Sequence, residues 1–246
     1  MPAYYWIQLY KAPTELPIPT IVQRTVDALV DSGCRYQFSQ ISTIEDDSLP
    51  QGKQKVIRKN VEIDVHEAIR YASRDLEAWR TTEKAKKWLP GITIIFEFDF
   101  QFDEELAKRF NSEKAKKVRQ VKLDFWVTED KLFGEKIVIS LDTWEEYVLM
   151  RGQQETHDHN KKQILRIVEN VCNHITPYYG WLDNEDNSYD AQYDFGDKDH
   201  WSVRNEFAVI GPQLIDRVSK YNLEVVRNLE NGCLLLRSSS SYQEAG

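Results

Sequence analysis

The 246 residues are 41% hydrophobic and 29% charged, the composition of a globular protein that can bury a core without disulfides or a metal. Formal net charge is −8, and residues 183–199 hold seven acids and one base, which is −6 of it. Such a chain is expected to meet a basic partner rather than nucleic acid, and cysteines 34, 172 and 233, odd in number and far apart, argue against a disulfide framework.

The opening Met-Pro-Ala-Tyr-Tyr-Trp lacks the charged region and apolar core of a signal peptide. No apolar run approaches the roughly 20 residues of a membrane span, so a cytoplasmic location is expected.

Residues 4–10 read as a strand. Pro17 and Pro19 open a helix whose Ile18, Val22, Val26 and Leu29 share one face, and Gly33 stands where a left-handed cap would end it. A strand is expected over 34–42, then a polar loop through Asp46, Asp47, Pro50 and Gly52. Asp64 and Glu67 have capping-box spacing before Val65, Ile69, Ala72, Leu76 and Trp79, a helical stripe broken by Pro90-Gly91. Ile92, Ile94, Phe96, Phe98, Phe100 and Phe102 alternate, which predicts a strand over 92–102 with one polar face. A charged helix over 103–117 should follow, then a hairpin of strands around Val121–Val127 and Ile137–Leu141 with Gly134 in its turn.

The second half opens on a helix over 160–174 with a stripe of Ile164, Val168, Val171 and Ile175. Strands are expected over 178–182 and 201–207, a helix from Gly211-Pro212, and two strands, 223–227 and 233–237, about the turn Glu230-Asn231-Gly232. The tail 238–246 has the composition of a disordered segment. Shifting by 142 residues lays Val22, Val26, Leu29, Val30 and Tyr36 on Ile164, Val168, Val171, Cys172 and Tyr178, the pattern of an internal repeat. The expected class is α+β, with antiparallel or mixed sheets and helices on one face. It is expected to divide at 117/118 into two α+β halves, each a ferredoxin-like βαβ-type unit if the repeat is a true duplication.

Each candidate metal, catalytic or phosphate chemistry has a plain structural alternative. His157, His159, Cys172 and His174 are metal-ligand types, but His159 and Cys172 stand about 20 Å apart along a helix, too far for one zinc ion. Asp183, Glu185 and Asn187 match alternate calcium-loop positions, yet Ser188 replaces the turn glycine and Asp194 the bidentate glutamate. Glu97 and Asp99 share a strand face and could act as a carboxylate pair, although charge on a polar strand face is the default. The runs 83–87 and 113–119, with Lys53, Lys55, Arg58 and Lys59, could meet phosphates or simply be solvated helix ends. Asp194-Phe195-Gly196 stands without the other kinase motifs, and no phosphate-binding loop or nucleophile elbow occurs. No cofactor, metal or catalytic residue is therefore assigned.

Residues 164–237 carry Pro177-Tyr178-Tyr179-Gly180-Trp181, Trp201 with Arg204-Asn205, Gly211-Pro212 with Leu214-Ile215, and Asn231-Gly232 before Leu234-Leu235-Leu236. In that order they resemble immunity proteins of bacterial polymorphic toxin systems. The resemblance implies a cytoplasmic, non-enzymatic protein that binds and blocks one cognate toxin. On the residues themselves, an acidic segment between two tryptophans combines charge steering with aromatic contact area. The expected partner-binding set is Trp181, Asp183, Glu185, Asp186, Asp190, Asp194, Asp197, Asp199 and Trp201. The rival readings are an enzyme with an unrecognised acidic site and a nucleic-acid-associated protein using the basic runs.

Overall fold

A computed structural model describes residues 4–12, 15–44, 55–81, 91–101, 119–130, 134–144, 154–184, 207–218 and 224–237. The expected helix over 103–117 and the tail 238–246 lie outside them. Ten strands form one sheet: β1 (Tyr4–Lys11), β2 (Arg35–Ile44), β3 (Val56–Val61), β4 (Ile92–Glu97), β5 (Gln120–Asp130), β6 (Gly134–Trp144), β7 (Tyr179–Asn184), β8 (Phe207–Ile210), β9 (Glu224–Asn228) and β10 (Leu234–Arg237). Their order is β3-β2-β4-β5-β6-β1-β7-β8-β10-β9, and every neighbouring pair is antiparallel.

The mixed α+β class with an antiparallel sheet is thus observed, but the strands do not segregate into two halves. β1 lies between β6 and β7, and β4 pairs with β5 across the expected 117/118 boundary.

Three helices, α1 (Ile18–Asp31), α2 (Val65–Thr81) and α3 (Gln154–Ile175), cover one face, with α1 packed against both others. Each connects strands that run parallel but are not neighbours: α2 passes over β2, α3 over β1, and α1 over β4, β5 and β6. The unequal spans mean that α1 and α3, aligned by the 142-residue shift, do not hold equivalent places. A short α4 (Ile215–Val218) follows a 3-10 turn at Pro212–Leu214.

Local signals in the sequence explain the helix ends. Gly33 has φ +95°, and beside it the Cys34 N–H donates to the Leu29 carbonyl at 3.0 Å, closing α1. The Glu67 N–H donates to Asp64 Oδ1 at 2.8 Å, capping α2. α3 begins six residues before the expected 160, at Gln154, and runs to Ile175. There Thr176, at φ 48°, and Pro177 end it.

The main core lies between helices and sheet. Ile18, Val22, Val26 and Leu29 of α1 and Ile164, Val168, Val171 and Ile175 of α3 are all buried in it. They meet Ile7 and Leu9 of β1, Ile92, Ile94 and Phe96 of β4, and Ile137, Ile139 and Leu141 of β6. Alternation is why these strands offer one apolar face each.

The strand expected over 92–102 ends at Glu97. Phe98 and Phe100 stay buried, but the backbone leaves the ladder. The buried Asn160 side chain takes its place at Gln101, donating to its carbonyl and accepting from its N–H, both at 2.8 Å. β3 was not expected: it is an edge strand, mostly exposed, and so has no apolar alternation to read. β8 is described over Phe207–Ile210, and residues 201–206 of the strand expected over 201–207 lie outside the described residues.

The second face divides into a polar and an apolar half. One row of registered partners runs Asn60, Gln40, Thr93, Asp124, Ser140, Gln8 across β3, β2, β4, β5, β6 and β1. The same row continues as Trp181, Ala208 and Leu236 across β7, β8 and β10. Trp181 and Leu236 belong to a second cluster with Tyr10, Val138, Tyr179, Ile210 and Leu214.

Candidate partner-binding site

Strand direction sorts the chain connections by end of the sheet. Gln120, Thr143, Trp144, Tyr5 and Asn184 lie at one end, as do Phe207, Arg237 and Glu224, fixed by the pairs Tyr4↔Trp144, Tyr5↔Asn184, Leu182↔Phe207 and Arg237↔Glu224. The connections 102–118, 145–153, 185–206 and 219–223 all attach at that end. Connections carried by a rigid sheet are where binding residues concentrate.

The acidic segment leaves β7 at Asn184 and re-enters at Phe207 of the adjacent β8. Its residues Glu185, Asp186, Asp190, Asp194, Asp197 and Asp199, with Trp201, lie outside the described residues. Asp183 stands on β7 opposite Trp6 of β1. Trp181 corrects the expectation made for it: it is 1% exposed, in the second cluster, so its ring offers no contact area to a partner. The cause is strand parity, which puts Trp181 on the sheet face beside Ala208 and Tyr179 rather than in a loop.

Three of the motifs that carry the immunity-protein resemblance, around Pro177, Gly211 and Asn231, meet at the opposite end, and Trp201 with Arg204-Asn205 lies outside the described residues. The Gly211 N–H donates to the Tyr178 carbonyl at 2.7 Å, and a Cβ on Gly211 would stand 2.2 Å from the Pro177 carbonyl oxygen. Only glycine permits that approach. Asn231 Nδ2 donates to the Cys172 carbonyl at 2.5 Å and to Thr176 Oγ1 at 3.2 Å, tying the β9–β10 turn to the end of α3. A Cβ on Gly232 would lie 3.3 Å from Pro212. These elements form a structural corner.

The remaining candidate residues are occupied or dispersed. Arg35 donates to both Asp99 oxygens at 2.7 and 2.9 Å and lies 3.8 Å from Glu97, and its hydrogen bonds hold the Asp99 carboxyl below the usual range. That pair of carboxylates has a cation between them. His174 lies 3.5 Å from Asp31, and His159 faces Gln163 at 3.4 Å. Cys172 is buried, which pushes its thiol well above the ordinary range; burial also raises Cys34 to about 12 and Cys233 to about 11. No group of three metal-ligating side chains occurs among the described residues. Of the basic set, Arg58 and Lys59 lie on the exposed edge strand β3 with Lys55 just before it, and most of the two lysine runs lies outside the described residues.

One titratable group was missed. Burial pushes Asp124 up to about 6, against the hydrogen bond from Thr93 Oγ1 to its Oδ1 at 2.5 Å and the charges of Lys122 and Arg58. It is the carboxyl at the middle of the polar row, flanked by Thr93 and Ser140. No motif marks it, because only the strand register assembles the row.

Neither a protein-family model nor a curated protein matches the chain. Among solved structures it is similar to the Pseudomonas aeruginosa T6SS protein PA0821, at 7% identity and a TM-score of 0.42. The match covers 96% of this chain and 65% of that one. No helix among the described residues is long and apolar enough to cross a membrane.

Proposed function

We propose that this chain is a non-enzymatic, cytoplasmic protein-binding module of the immunity type, which blocks a basic partner with the acidic segment 183–199. The observation that supports the reading is that the strands flanking the segment, β7 and β8, are neighbours, so Asn184 and Phe207 stand at the same end of the sheet. Six net negative charges there repel one another unless a basic partner, ions or water screen them. A basic partner would be drawn in by long-range attraction and held by the contacts around it. Trp201, not the buried Trp181, is the aromatic residue left to supply contact area. The resemblance carried by residues 177–181, 211–215 and 231–236 supports the same class of protein.

The test is capture of partners from a bacterial lysate by the wild type and by the triple variant Asp186→Asn, Asp190→Asn, Asp194→Asn, at low and moderate salt. The wild type should recover a basic protein that the variant loses, with the difference shrinking as salt rises. Recovery of the same partner in equal amount by both proteins would sink the reading.

A further inference from the structure

On the outer side of the helix layer, α1 and α2 diverge to leave an open groove of about 650 Å³, within the size range of ligand-binding clefts. Exposed Pro19 supplies apolar surface beside the largely buried Ile69, and three arginines line the groove: Arg24 from α1, Arg70 and Arg74 from α2. All three are exposed.

Arginines on a helix surface normally meet carboxylates one turn away. In a chain with 40 acidic and 32 basic residues that pairing is the more expected. Among the described residues, none of these three is ion-paired to a carboxylate. Arg24 donates to the His174 carbonyl at 3.3 Å, and Arg74 stacks 4.9 Å from the Tyr71 ring centre. Asp75, next in sequence to Arg74, turns its carboxylate toward Gly91. Glu77 is the one acid that lines the groove.

We infer that the α1–α2 groove is a docking site for an acidic helix of a partner protein. Arg70 and Arg74 stand one turn apart, so a helix with carboxylates at i and i+4 matches them pair for pair while Arg24 closes from the other wall. Guanidinium takes carboxylate in a two-point fork, which fixes the register of the guest as well as attracting it. Pro19 gives an apolar side chain between the carboxylates a surface to pack on. A nucleic acid is the poorer fit, since phosphate binding accumulates over many contacts, and this groove offers three cations and an acid on a protein of net charge −8. The surface lies on the helix layer, and its partner has the opposite charge to the one proposed for the acidic segment.

The probe is a fluorescein-labelled amphipathic peptide of about four helical turns with glutamates one turn apart and leucines between them. Its controls are the same peptide with glutamine for glutamate and a labelled single-stranded oligonucleotide of similar length. Anisotropy is read on the wild type, on Arg70→Gln with Arg74→Gln, and on Arg70→Lys with Arg74→Lys. Circular dichroism confirms that each variant is folded. The acidic peptide should bind the wild type, lose about tenfold or more in affinity on the Gln variant, and keep part of it on the Lys variant, where charge survives without the fork. The glutamine peptide should bind at least about tenfold more weakly than its parent. The inference is overturned by absent peptide binding, by equal binding to wild type and Gln variant, or by an oligonucleotide that binds more tightly through the same arginines.

Discussion

At Asp124 the local environment sets a pH response for the whole protein. Its pKa in the folded state is about 6, above the 3.8 of an unperturbed aspartate, because burial penalises the charged form. A raised carboxyl pKa favours the folded state while the group is protonated. Its contribution is therefore fully present below about pH 4 and lost as pH rises through 4 to 6. Asp124→Asn keeps an acceptor for the Thr93 hydroxyl and removes the ionisation. Urea midpoints of wild type and variant, measured from pH 4 to 7, should diverge with rising pH in the variant's favour. A constant difference across that range would mean that Asp124 does not titrate there.

The helices and strands that the sequence revealed are those that bury one face. In α3 the stripe Ile164, Val168, Val171 and Ile175 is buried against the sheet, with Ile164 1% exposed. Ile164→Ala should cost about 2–5 kcal/mol on chemical denaturation, through lost transfer energy and the cavity left behind. A loss under about half a kcal/mol would put that face in solvent. β3 escaped notice for the converse reason: an edge strand with exposed Val56, Arg58 and Lys59 buries too little to leave a period. Phe98 and Phe100 misled in a different way, being buried on schedule while Asn160 took over the backbone bonding of Gln101 that a strand neighbour would have supplied. The candidate site was legible only as charge. Acidic composition marks 183–199 as the proposed segment, but nothing local shows that Trp181 packs inside, because that follows from which strands flank it. The arginine groove was equally silent, since Arg24 and Arg70 come together only through the packing of α1 on α2.

For the whole molecule, the decisive fact is the position of β1. Neither side of residue 117 completes its own part of the sheet, since β1 is hydrogen-bonded to β6 and β7 and β4 to β5. Unfolding should accordingly be cooperative, with tryptophan fluorescence and far-ultraviolet circular dichroism tracing one coincident transition in urea. Two separated transitions, or a folded fragment made of residues 118–237 alone, would show that the sheet is divisible. The same position has a consequence for biosynthesis. Tyr4 pairs with Trp144, and Tyr10 with Tyr179. At roughly 5–20 residues per second of translation, β1 leaves the ribosome many seconds before either partner strand exists. Its buried Ile7 and Leu9 must spend that interval without a sheet to enter. β1 is made well before the strands on either side of it, and the nascent protein is most exposed to misassociation, and to chaperone capture, while it waits.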